Sequence, residues 1–277
     1  MVMETRSMRY IPTAVLVVLL AAGAAGAQKR DHAPVPDLGT MVEFPAAGFR
    51  MGQEVETPGP YGDEWYIDQQ PAHNVTLSRF YMDVNEVTVA EFALFLTYAA
   101  GEYHFHPDQP IERVLGGYLP IAGREHEPIT YVTWEAAHHY CLWAGKRLPT
   151  EAEWEKSAAG SGPREYPWGD DSPTCMLASY FTNSSYCEDG PVAVGSRPDG
   201  VTPEGLMDMA GNVAEWVADW YDLYGPDDVT DPLGPDTGTH RVVRGGGYLE
   251  ERQMLRTHAR RGALPTTRSS NIGFRCA

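Results

Sequence analysis

A single α+β domain, built from short elements joined by long loops, is what this sequence predicts. Three observations carry the prediction. Only three stretches place apolar residues at helical spacing, and the longest spans eleven residues. Strand-like alternation occurs in short, scattered runs rather than in a regular βαβ rhythm. The 277 residues include 28 glycines and 22 prolines, with 11% aromatics, which punctuates the chain too often for a helical bundle. The length is ample for one sizeable core.

The elements follow in order. Met41 to Gly52 (MVEFPAAGFRMG) reads as strand, turn and strand. In PAHNVTLSRFYMDVNEVT the residues Val75, Leu77, Phe80 and Tyr81 give strand alternation. Thr88 to Tyr98 (TVAEFALFLTY) is a helix with Thr88 as N-cap, because a threonine hydroxyl accepts from a free first-turn N–H. Residues 100 to 128 form an irregular insertion holding His104, His106 and His126. Thr133 to Trp143 is a second helix. A third starts at Thr150, where Glu153 completes a capping box three residues on. Beyond Ala159 turns dominate, with short strands expected at Val192–Val194 and Arg241–Arg244. No internal repeat or inter-domain linker interrupts residues 41–277.

The N-terminus reads as an address. Arg6 and Arg9 precede an apolar run from Ile11 to Ala25, and Ala25-Gly26-Ala27 is a small-residue cleavage signature. Residues 1–27 are therefore expected to be a signal peptide, and 28–40 a disordered leader. The run is too short and too rich in alanine and glycine for a stable span, so no membrane insertion is expected after cleavage. The expected localisation is secreted or periplasmic. Such a compartment is oxidising, and Cys141, Cys175, Cys187 and Cys276 form an even set with three possible pairings. Local closure of the Gly/Ser/Asn-rich loop by Cys175 and Cys187 would leave Cys141 for Cys276. No pair has zinc spacing. With 21 Lys and Arg against 38 Asp and Glu, the formal charge is -17, which opposes binding to phosphate backbones and argues against nucleic acid as a partner.

Seven motifs then recur in a recognisable order. MVEFPAAGFRMG is followed by PAHNVTLSRFYMDVNEVT, ITYVTWEAAHHYCLWAGKRLPTEAEWEKSA, YPWGD, GLMDMAGNVAEWVADWY, VVRGGGY and NIGFRCA. This series resembles the formylglycine-generating enzyme, or sulfatase-modifying-factor, domain family across residues 41 to 277. The resemblance implies a single irregular fold related to C-type lectins. The family's catalysts bind copper through a cysteine pair and oxidise a substrate cysteine to formylglycine, a task suited to thiolates because Cu(I) favours sulfur. Aligned on Gly245-Gly246, those two positions hold Glu250 and Leu255, and the tryptophan and serine that line the family's pocket correspond to Ala214 and Gly247. A carboxylate and an isobutyl group cannot replace two thiolates, so copper is not expected.

The scaffold features survive the comparison better. Cys141 and Cys276 match a structural disulfide of the family, whereas a second family disulfide would need cysteines near Ser157 and Arg260. DMAGNVAE resembles the family's calcium loop, which implies Asp208 and Glu215 as side-chain ligands with Gly211 and Val213 supplying carbonyls. The bland alternative makes the two acids caps of a turn before a Val213–Trp220 helix. A second family calcium site would fall on Ser179 and Asp189.

Other residues could carry chemistry. His104 and His106 would share a face on a strand, as zinc or copper ligands do, while His138 and His139 diverge by about 100° on a helix. Packing and surface roles are the preferred reading of these histidines. Arg252, Arg256 and Arg260 would share one face if helical, either gripping an acidic ligand or forming a salt-bridged network. Asp63 and Glu64 are read as solvated. Trp134, Trp143, Trp154, Trp168, Trp216 and Trp220 are read as core.

Two function classes follow. The preferred one is a cysteine-less, exported family member that binds a protein or small-molecule ligand on a calcium-stabilised scaffold. The alternative is a periplasmic enzyme of different chemistry, since cysteine-less relatives are implicated in siderophore chromophore maturation. In that reading Glu250 is the general base, and Arg256 and His258 orient substrate.

Overall fold

A computed structural model describes residues 38–54, 67–160, 162 and 164–277. The signal segment, the leader up to residue 37, and Asp63 and Glu64 lie outside the described residues. Residues Gly39–Ala277 form one compact unit.

The first strand, β1 (Met41–Phe44), pairs antiparallel with β4 (Phe80–Asp83), bringing Phe44 opposite Phe80, where the rings stack at 4.9 Å. β2 (Ala47–Met51) pairs antiparallel with β3 (His73–Leu77), and the short β8 (Val229–Thr230) adds to β3 in parallel. Alternation does what it predicts along β3: His73, Val75 and Leu77 point inward while Asn74 and Thr76 face out.

Helix α1 (Val89–Phe95) opens with the Thr88 cap and carries a capping box with Glu91; its last turn widens into a π-turn at Leu96–Ala100. Helix α2 (Trp134–Trp143) is capped by Thr133, and α3 (Glu151–Ala159) by the predicted Thr150–Glu153 box. The insertion is more ordered than expected, since β5 (Ile111–Val114) and β6 (Gly117–Pro120) form a hairpin across Leu115-Gly116.

A four-stranded sheet, ordered β10-β9-β7-β11, organises the C-terminal half. It comprises β7 (Ala214–Trp220), β9 (Arg241–Arg244), β10 (Arg260–Ala263) and β11 (Ile272–Gly273). β7 corrects the alternative helix at Val213–Trp220. Its first four residues are buried on both faces, and its backbone is paired on one side with β9 and on the other with β11. Val192–Val194 corrects in the other direction, as it is a turn-linked loop rather than a strand. The principal core unites β2, β3 and β4 with α3, β7 and β9 around Trp154.

Two further expectations change. Arg252, Arg256 and Arg260 do not share a helix face: a 3-10 turn covers Arg252–Leu255, Arg256 is extended, and Arg260 lies in β10. His104 follows a 3-10 turn rather than sitting on a strand. Of the six tryptophans read as core, only Trp154 and Trp216 are fully buried. Trp134, Trp143, Trp168 and Trp220 are half-buried, and Trp134 and Trp220 sandwich the Arg241 guanidinium at 3.7 and 3.5 Å from their ring centres.

Candidate functional site

The loop from β9 to β10 carries Glu250 and Leu255, the positions the resemblance aligns with the family's cysteine pair. Gly245 and Gly246 have φ of 83° and 62°, a region that L side chains rarely adopt, so the loop reverses sharply after β9. Gly247 is glycine for a different reason. A Cβ placed there would stand 2.2 Å from Asn271 Oδ1. That amide oxygen accepts the Leu249 N–H at 3.2 Å, so a side chain at 247 would require the Asn271 amide to swing aside and give up that bond.

Glu250 is committed to the loop itself. Its Oε2 accepts the Gly247 N–H at 2.5 Å, its Oε1 lies 3.0 Å from an Arg261 guanidinium nitrogen, and its carbonyl accepts Phe181 N–H. Leu255 is wholly buried with Tyr166, Ala178, Tyr180 and Ala210. Arg256 is buried and donates through Nε to the Gln253 carbonyl at 3.0 Å. His258 lies beyond, in a cavity with Glu155 and Gln53, where burial foremost, and the positive charges of Arg256 and Arg244, push its pKa down to about 3. Glu250 and Arg256 thus bond to different groups, and His258 lines a separate cavity.

The calcium residues divide as well. Asp208 and Gly211 lie on one tight turn, with φ of 55° and 81°, and the neighbouring Asn212 has φ of 61°. Asp208 Oδ2 accepts the Gly195 N–H at 2.6 Å. Glu215, one residue into β7, faces elsewhere. Its two oxygens accept three N–H contacts from Arg275, at 2.7 to 3.0 Å, and the Trp154 indole N–H at 2.8 Å, all fully buried. Its charge is already balanced by a guanidinium.

The acid that approaches Asp208 is Glu86, which sequence reasoning missed. Glu86 lies beside Asp208 and accepts Asn212 Nδ2 at 3.1 Å, while its Oε2 is buried without a partner. Burial, and then the charge of Asp208, raises its pKa well above the usual range. An orphaned carboxylate oxygen beside a second carboxylate fits a hard cation on the Asp208–Glu86 side of the turn. Of the second proposed site, Ser179 is buried and Asp189 exposed. Among the described residues no three His, Cys, Asp or Glu side chains converge as a metal cluster. His104 Nε2 and His139 Nδ1 are instead hydrogen-bonded to each other at 2.9 Å.

Both disulfides form, Cys141 with Cys276 and Cys175 with Cys187. Where the family's second bridge is missing, a buried ionic network stands. Arg260 grips Glu151 through two 2.7 Å hydrogen bonds, and Arg244 pairs with Glu155. Ser157, at the other position of that bridge, is fully buried.

Residues 26–277 match the family model described as the sulfatase-modifying factor enzyme 1-like domain. The chain is 33% identical to the formylglycine-generating enzyme of Streptomyces coelicolor, covering 95% of this chain and 96% of that protein. It is 38% identical to the serine/threonine-protein kinase Pkn1 of Chlamydia trachomatis over 90% of this chain, but spans only 40% of that relative's length. The inactive C-alpha-formylglycine-generating enzyme 2 of Mus musculus is 30% identical, with 89% and 87% covered. Among solved structures, PvdO from Pseudomonas aeruginosa superposes with a TM-score of 0.67 at 26% identity, over 87% of this chain and 94% of that one.

Proposed function

This chain belongs to the sulfatase-modifying factor enzyme 1-like family, and on that premise we propose that it is an exported member that binds a ligand or partner and does not generate formylglycine by the copper route. The observation that carries this reading is the filled thiolate site. Leu255 is packed in an apolar cluster, and Glu250 is tied to Gly247 and Arg261. Copper(I) held by two thiolates has no counterpart in that donor set. A relative whose name marks it as inactive shows that the scaffold persists without the activity. Export draws support from the two disulfides, which persist in oxidising compartments, and from the apolar N-terminal run.

A structural calcium ion belongs to the same proposal. Asp208 and Glu86 would hold it, with the Gly211 and Val213 carbonyls of the family's loop, and it would tie the 192–195 segment to the turn before β7. Calcium near one per chain in the purified protein, lost to chelator together with part of the melting temperature, is the expected result. A metal-free protein whose melting ignores chelator would remove the ion from the scheme.

The activity test is direct. Pure protein supplied with copper, oxygen and a cysteine peptide is expected to leave the peptide without an aldehyde by mass spectrometry. The Glu250→Cys/Leu255→Cys variant should behave the same way, because residue 255 packs in an apolar cluster and residue 247 still has no hydroxyl. Aldehyde formation by the parent protein would end the proposal.

A further inference from the structure

Away from the 245–255 loop, a cavity of about 440 Å³ opens where the β3–β4 turn, α2, α3 and β9 meet the loop after β8. That volume lies within the roughly 300–1,000 Å³ of small-molecule pockets. Arg241 of β9 sets its chemistry. The guanidinium is held between Trp134 and Trp220, with Nη1 donating to the Ala218 carbonyl and Nε enclosed. Nη2 makes no hydrogen bond among the described residues and, unlike Nε, is not enclosed. Burial pushes the Arg241 pKa down; Asp219, the one acid that acts on it, offsets this only in part and forms no ion pair with it. A guanidinium fixed by two indoles, half-buried and without a carboxylate partner, is suited to receive an anion.

The acids that line the cavity do not supply that anion. Glu153 accepts both Nη atoms of Arg147, at 2.6 and 2.5 Å, and the Thr150 N–H at 2.8 Å. Asp231 accepts the Ser78 N–H at 2.6 Å and the Ser78 hydroxyl at 2.7 Å. Arg79, exposed at the same cavity, reaches only the exposed Glu43, at 4.0 Å. With Arg147 and Glu153 cancelling, Arg241 and Arg79 outnumber Asp231, so the cavity is locally positive in a chain of formal charge -17. Apolar surface comes from the buried Leu77 and Leu148, and from Pro232 and Leu233, of which Leu233 is 74% exposed.

We propose that this cavity binds a carboxylate that carries an apolar group, the carboxylate meeting Arg241 Nη2 and Arg79 and the apolar group lying against Leu148 and Leu233. A free aliphatic acid and the C-terminus of an apolar peptide share this chemistry. The inference rests on the binding reading and deepens it by naming a ligand class, yet it uses no residue of the 245–255 loop. The peptide oxidation assay reads that loop and the titration below reads this cavity, so each can fail without the other.

The test titrates the purified full chain in a calorimeter with hexanoate and with the tripeptide Ala-Ala-Leu, against hexanamide and the C-terminally amidated tripeptide. Saturable binding of at least one of the two acids, absent with its amide, is expected, and the acid that binds identifies the source of the carboxylate. Arg79→Gln and Leu233→Asp alter exposed side chains, so both variants should melt at the parent temperature. The first should weaken binding about twofold to fivefold. The second should abolish it, because it sets a like charge on the apolar wall. No saturable binding of either acid, amides that bind as well as the acids, or parent affinity in both variants would each overturn the proposal.

Discussion

Arg260→Met tests the claim that a buried ionic network has taken the place of a missing disulfide between β10 and α3. Arg260 and Glu151 are each 4% exposed. The guanidinium gives Nε and Nη2 to the two Glu151 oxygens at 2.7 Å, and Nη1 to the Asp68 and Asp222 carbonyls at 2.9 and 2.7 Å. It also lies 4.1 Å from the centre of the Tyr224 ring. Without it, Glu151 keeps the Tyr224 hydroxyl at 3.0 Å and Arg244 Nε at 3.5 Å, beside the like charge of Asp219. Breaking one side of a buried pair costs about 3–5 kcal/mol. At about 2–4 °C per kcal/mol for a domain of this size, melting should fall by roughly 6–20 °C. Adding Glu151→Leu should recover part of the loss, since the uncompensated charge leaves with it. Guanidinium titration with linear extrapolation measures both variants. A loss under about 1 kcal/mol for Arg260→Met, or a double variant equal to the sum of the singles within about 0.5 kcal/mol, would refute the network's role. Burial alone would raise the Glu151 pKa, but Arg260 and Arg244 hold it below 4.5. The folded value is thus depressed, so this contribution is present above the unfolded pKa and fades as the solution is acidified through the folded one.

Asp219 has the opposite sign. Burial first, and then the charge of Glu151, lifts its pKa from 3.8 to about 7. The folded protein binds more protons than the unfolded chain between those values, so stability falls as pH rises across that window. Asp219→Asn retains an acceptor for the Glu151 N–H, 2.8 Å away in the parent; melting across pH 4 to 8 should show a flatter decline and a variant more stable than the parent at pH 8. The disulfides should differ in weight. Cys141 and Cys276 are 135 residues apart and Cys175 and Cys187 only 12, which gives about 5 and about 3 kcal/mol in the chain-entropy model. Paired alanine substitutions compared by denaturant titration should preserve that order, and a larger effect from the short loop would contradict it.

What the sequence disclosed and what it withheld divide along the range of the interactions. The Thr88 and Thr150 caps are settled within four residues, by hydroxyl and carboxylate groups of the same turn, and both stand as predicted. The alternation through β3 is equally local. β7 is not: AEWVADW puts Glu215 and Asp219 on one face, which is nevertheless buried, with Glu215 bonded to Arg275 about 60 residues downstream, so its polar positions mark no solvent side. The β5–β6 hairpin had a readable signal in Leu115-Gly116, with Gly116 at a φ of 100°, although its strands are only four residues each. At the site, motif order singled out the loop together with Glu250 and Leu255. It could not show that the replacements are coupled. Gly247 and Asn271 are 24 positions apart in sequence, yet the amide of one fills the side-chain space of the other. Glu86 meets Asp208 and Asn212 across more than 120 residues in the same way. A cysteine pair at 250 and 255 is a change at two positions on paper, whereas in the folded protein it removes the bonds of Glu250 to Gly247 and Arg261 and takes Leu255 out of an apolar cluster. The side chains that fill the loop therefore hold it through contacts of their own.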